Sequence, residues 1–166
     1  MAGRGRIAIK ENGKYRHIQV YYNSYIDTLG TILYEHYKNA DKIRALIERG
    51  DILYIGTTVE NNANSYEEHI KFKEEGNYGT ISFFKEGRNW TDFEDYAPYV
   101  KWVNCCPREN SNIYNVCGGL FTYIFDVEEN KWYMGYCGEE FKLKDLDIVL
   151  NSDDDMKKYK ELQFIK

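Results

Sequence analysis

Apolar and polar residues alternate with period two across residues 5–22, and Asn12-Gly13 interrupts the alternation at its middle. Asn-Gly is the strongest short turn signal, because both central residues of a type I′ turn need positive φ. A two-residue turn there pairs Glu11 with Lys14, Ile9 with Arg16 and Ile7 with Ile18. The alternation then puts Ile7, Ile9, Ile18, Val20 and Tyr22 on a core face. Arg4, Arg6, Ala8, His17, Gln19 and Tyr21 fall on the opposite face, read as outward, polar, basic and partly aromatic.

The period then changes to that of a helix. Leu29, Ile32, Leu33, His36 and Tyr37 follow an i, i+3, i+4, i+7, i+8 stripe, predicting a helix over 28–38 with His36 at the core or its edge. Ile43, Leu46 and Ile47 mark a second helix over 41–49, with Asn39 as its cap and Gly50 as its left-handed terminator. Ile52–Ile55 is a short apolar run. The polar stretch 57–79 reads as a loop with a short helix near 65–73. Thr80–Phe84 reads as a strand, 85–91 as a loop, 92–103 as a helix weakened by Pro98, and 104–118 as irregular. Residues 119–127 and 131–136 form a second, strongly apolar hairpin, expected to be central and covered on both faces. A short helix near 143–150 follows. Ser152 caps a last helix to about 162, whose first turn holds Asp153, Asp154 and Asp155. Strands in hairpins and few helices predict an α+β fold: a mainly antiparallel sheet with helices packed on one face, in one domain over 1–166.

Composition narrows the function classes. The chain has 166 residues, 16 of them Tyr, and a net charge of −5 from 27 acids and 22 bases. That balance disfavours a general nucleic-acid binder, which needs a basic face, and falls short of the dense carboxylates of a DNA mimic. No apolar run approaches a membrane span. The basic start, Met1 to Arg6, is followed by three apolar residues and does not read as a secretory signal. A cytoplasmic location with Cys105, Cys106, Cys117 and Cys137 as reduced thiols is the expectation.

Candidate catalytic chemistry is thin. The cysteines lack CxxC spacing and a nearby His, so they do not read as a zinc site. His36 reads as a core histidine, and His69 sits in a polar segment. Gly3-Arg4-Gly5-Arg6 precedes a strand instead of opening a helix, which fails the context of a phosphate loop. Gly118-Gly119 leads into a strand and reads as a bulge or turn. Asp145-x-Asp147 lacks the Gly and terminal Glu of a calcium loop. No metal or cofactor is expected. The feature that remains is the outer hairpin face with the loop after it: Arg4, Arg6, His17, Gln19, Tyr21, Tyr22, Asn23 and Tyr25. Arg and Tyr together favour interface anchors and the recognition of phosphate or bases.

Gly5-Arg6-Ile7-Ala8-Ile9, Asn12-Gly13, Tyr21 to Tyr25, Leu29-Gly30, Tyr37, and Ile43 to Ile47 with Gly50-Asp51 together resemble a small uncharacterised family common in phages and prophages. The resemblance covers the first third of the chain, with a fainter likeness in the Phe121 to Trp132 hairpin. The family's His-Trp-Asp-Gly-Tyr-Pro segment is here Tyr21-Tyr22-Asn23-Ser24-Tyr25-Ile26, without its His and Asp. The resemblance implies a phage-encoded accessory protein that acts by binding. The leading expectation is an inhibitor of a bacterial defence system, either by anti-CRISPR-like occlusion of a protein or by sequestration of a nucleotide signal. The alternatives are a small hydrolase or transferase acting on a nucleotide or phosphate ester through His17 or His36, and a non-catalytic homo-oligomeric module.

Overall fold

The computed structural model describes residues 3–60, 63, 65–76, 78–81, 107–138 and 140–162. The expected loop 85–91 and helix 92–103, Cys105, Cys106 and most of the expected strand 80–84 lie outside them.

The first hairpin forms as the alternation dictates. Strands β1 (Gly5–Glu11) and β2 (Lys14–Val20) pair in the predicted register, with Asn12 at φ 53° and Gly13 at φ 73°. A π-helical turn (Ile26–Gly30) runs into α1 (Thr31–His36), and α2 (Ala40–Glu48) follows with the Asn39 side chain accepting from the Lys42 N–H. Helix α3 spans Tyr66–Glu74, capped by Ser65. Strand β3 (Arg108–Asn110) and a 3-10 turn (Ile113–Asn115) lead to the second hairpin, β4 (Phe121–Asp126) and β5 (Lys131–Tyr136). The two-residue strand β6 (Lys144–Asp145), α4 (Leu146–Leu150) and α5 (Asp153–Leu162) close the described chain.

Among the described residues the strands form one sheet in the order β3-β2-β1-β4-β5-β6. All neighbours are antiparallel except β1 and β4, which pair in parallel with Ile7 opposite Tyr123. The α+β expectation holds, with this parallel contact at the centre where the two hairpins meet. Every residue of β4 is buried.

One face of the sheet carries the main core. Ile7, Ile9, Ile18, Val20, Phe121, Tyr123, Phe125 and Met134 pack there against Leu33 and Tyr37, Ile43, Leu46 and Ile47, Leu146 and Val149, and Tyr159. Helices α1, α2, α4 and α5 therefore share that face. Buried aromatic heads find partners: Tyr123 Oη donates to the Ser24 carbonyl at 2.8 Å, and Trp132 Nε1 donates to the Tyr37 carbonyl at 2.8 Å. Two smaller clusters lie elsewhere. Tyr21, Leu53, Ala63 and Ile81 pack beyond the end of β2. Ala8, Tyr15, Val116 and Ile124 pack on the opposite face of the sheet.

The first helical stripe differs from expectation. Leu29, Leu33 and Tyr37 are buried at a spacing of four, Ile32 is half-buried and His36 is exposed. The cause is the π-helical turn. Its wider winding rotates later residues relative to an ideal α-helix, so position i+7 leaves the core.

Candidate functional site

The eight residues expected to present an outward surface are dispersed by the fold. Residues 113–118 lie across the outer hairpin face, and Val116 closes on Ala8 and Ile124. Arg6 is half-buried there, its guanidinium donating to the Asn115 and Val116 carbonyls, each at 3.1 Å. His17 is 1% exposed. Gln19 is half-buried, and its N–H donates to Asp51 Oδ1 at 2.8 Å. Tyr21 is 2% exposed, inside the cluster beyond β2, with the Arg4 guanidinium 5.4 Å above its ring. Tyr25 is half-buried against Gly3. The expectation of a shared outward face is thus corrected for His17 and Tyr21. Alternation specifies that the two faces of a strand differ, but it does not specify which face another segment covers.

His17 has an unusual setting. Among the described residues neither ring nitrogen has a hydrogen-bond partner. Burial, reinforced by the Arg6 and Arg108 guanidinium groups and opposed by Asp51, pushes the ring down to about 4. Asp51 is fully buried and gives both carboxylate oxygens to Arg108, at 2.9 and 3.0 Å. The acid nearest in charge is thereby bonded to Arg108 and Gln19, and it does not orient His17 as a general base requires. His36 sits 3.9 Å from the carboxylate of Glu35, the residue before it, and both are exposed.

Tyr22 and Asn23 reach a different place. The alternation of β2 ends at Val20, and Tyr22, expected in the core, is half-exposed while Tyr21 takes the buried position. The Tyr22 N–H donates to the Leu53 carbonyl at 3.1 Å, which aligns residues 20–22 with 52–54. Tyr22 then stacks on Tyr54, with ring centroids 5.0 Å apart and planes 18° from parallel. His69 of α3 lies 5.0 Å from Tyr54, and Tyr78 meets His69 edge-on at 5.8 Å. These rings, with Thr28, Ile32, Ile55, exposed Asn23 (φ 59°) and Lys73, line a small cavity of about 20 Å³.

Among the described residues that line the notch, Lys73 carries the formal charge. Burial, then the Lys73 charge, pushes the His69 ring down to about 4. Burial pushes the Tyr54 hydroxyl up to about 12 and raises that of Tyr78. At neutral pH the site is a row of uncharged aromatic rings with Lys73 at its edge. Tyr54, His69, Lys73 and Tyr78 escaped the sequence reading, since they come from a connector, a weakly amphipathic helix and a loop with no shared spacing. The Ser65 cap, with Glu67 and Glu68 in the first turn, is the sequence signal that places α3 and therefore His69.

A second cavity, of about 310 Å³, opens between α1, α4 and the second hairpin, over Phe125 and Trp132. Lys131 pairs with Asp145 at 3.0 Å and Tyr34 donates to Asp147, so much of its polar rim is satisfied internally. Lys38 also lines it. Among the described residues no three His, Cys, Asp or Glu side chains gather to hold a metal ion, and no helix is long and apolar enough to cross a membrane. No protein-family model, curated protein or solved structure matches the chain.

Proposed function

We propose that this protein acts by binding a protein partner, with the tyrosine edge of Tyr22, Tyr54 and Tyr78 as its anchor. The observation that carries this reading is the Tyr22–Tyr54 stack at 5.0 Å, with both rings half-exposed. Stiff, amphipathic rings pre-ordered by stacking lose little freedom on association, which is the property of interface hot spots. Asn23 and Lys73 supply polar groups at the rim. A cavity of about 20 Å³ admits the tip of a partner side chain. A whole nucleotide needs a pocket of roughly 300 Å³ or more. Occlusion of a protein surface is thus better supported at this site than sequestration of a nucleotide.

The setting we propose is inhibition of a bacterial defence system by a phage-encoded protein. Its support is the resemblance of the first third of the chain to a phage and prophage family, together with the loss of that family's His and Asp.

A second reading has its own support. The cavity over Phe125 and Trp132 reaches the lower end of ligand-pocket sizes, and Lys38 at its rim suits a small anionic ligand. The test that separates the two is capture from host lysate with mass spectrometry of proteins and metabolites. Tyr22→Ala and Lys73→Glu are each expected to weaken binding of a captured protein roughly tenfold, about 1.4 kcal/mol. Tyr114→Ala, at a position 71% exposed on the 3-10 turn, should leave capture intact. Undiminished capture by folded Tyr22→Ala overturns the first reading. A co-purifying metabolite lost on Lys38→Glu establishes the second.

A further inference from the structure

We propose that Cys117 and Cys137 form a dithiol that closes to an intramolecular disulfide by exchange with a small-molecule disulfide such as glutathione disulfide. The proposal stands apart from the partner-binding reading and concerns a different part of the molecule.

Three features bring the two thiols together. The Cys137 N–H donates to the Leu120 carbonyl at 2.9 Å, which extends the β4–β5 pairing past its last strand residue. Gly119 turns back in the left-handed region, at φ 71°, and a Cβ there would collide with the Arg4 carbonyl. Arg6 fixes the preceding segment through the carbonyls of Asn115 and Val116, and its guanidinium lies against Gly118. The Cys117 thiol therefore points at Cys137, donating to its sulfur at 2.8 Å across 20 residues of sequence. Both residues are half-buried free thiols. Thr122 Oγ1 lies 3.4 Å from the Cys137 sulfur.

The order of events follows from the surroundings of Cys117, its burial first and its contact with Cys137 second. Burial, then the bond to Cys137, holds the Cys117 thiol up to about 12, so Cys117 keeps its proton. The Cys137 sulfur attacks one sulfur of the small disulfide, its proton passing to solvent base. A protein–small-molecule mixed disulfide forms and one thiolate leaves. Cys117 then gives up its proton to solvent base and attacks the Cys137 sulfur, expelling the second thiolate. The dithiol loses two electrons and two protons, and one small disulfide becomes two thiols. Oxidation fastens residues 113–118, the cover of the outer hairpin face and the seat of Arg6, to the end of β5.

The test uses the full chain incubated folded with glutathione disulfide, blocked with iodoacetamide and mapped by mass spectrometry without reduction. The expected product is a peptide cross-linked between Cys117 and Cys137, lighter by two hydrogens. It should also form in a Cys105→Ser, Cys106→Ser variant and open with dithiothreitol. Cys117→Ser should trap glutathione on Cys137, because the resolving sulfur is missing. The oxidised wild type should melt at a higher temperature than the reduced form, since the closed loop restricts the unfolded chain. Alkylation of both Cys117 and Cys137 to the level of the reduced control overturns the proposal. So does linkage of either one to Cys105 or Cys106.

Discussion

Asp51 is fully buried, yet each of its carboxylate oxygens meets a donor: Arg108 takes both and the Gln19 N–H takes one. This acid links the turn after α2 to β2 and the edge strand β3. Removing it takes the acceptor from the part-buried Gln19 N–H and from the Arg108 guanidinium, whose side chain is 37% exposed. Asp51→Ala is therefore expected to destabilise the fold by about 3 kcal/mol, at the low end of the range for broken buried ion pairs. The check is a lower denaturant midpoint at unchanged slope. Gly119 is a second point of this kind. A side chain there meets both a left-handed backbone and the Arg4 carbonyl. Gly119→Ala should cost about 2 kcal/mol, whereas Gly13→Ala, at φ 73° with open space around it, should cost less.

Among elements, α2 is the piece most fully specified by local chemistry. Asn39 caps it, Asp41 sits in its first turn, Gly50 ends it at φ 78°, and Ile43, Leu46 and Ile47 are all buried. Asn39→Ala leaves the Lys42 N–H without its side-chain acceptor and should cost about 1 kcal/mol, read from the melting temperature. The first hairpin is equally legible, because its turn and register are both set within sixteen residues. The segment before α2 is not. A π-helical turn has no residue pattern of its own, so Leu29 and Leu33 were placed correctly and His36 was not. Helix α3 was expected near 65–73, but its contribution to the notch was not legible, because His69 meets Tyr54, fifteen residues earlier.

For the whole molecule the buried histidines set the response to acid. His17 and His69 are ordinary bases near 6.5 when unfolded and are pushed to about 4 in the fold. The unfolded chain therefore binds more protons between those values, and stability falls as pH falls. The full stability is present above pH 6.5 and is lost progressively toward pH 4. Each ring contributes on the order of 3 kcal/mol to that loss. The expected result is a steep drop in melting temperature across this window. His17→Phe should flatten the drop, and an unchanged profile in that variant would contradict the assignment.

The sequence by itself determined what is local: the Asn12-Gly13 turn and its register, the caps of α2 and α5, the apolar runs of both hairpins, and hence the α+β class. These follow from backbone preferences and side-chain period, which act over a few residues. Tertiary structure alone decided which faces are covered. Residues 113–118 fold over the outer side of the first hairpin and seat Val116 on Ala8 and Ile124, and His17, expected outward, is buried. The 52–55 and 78–81 segments enclose Tyr21 and leave Tyr22 at the edge, stacked on Tyr54. The parallel contact of β1 with β4 joins residues more than a hundred positions apart. Burial of this kind depends on which distant segment arrives, and a strand carries no record of that in its own alternation.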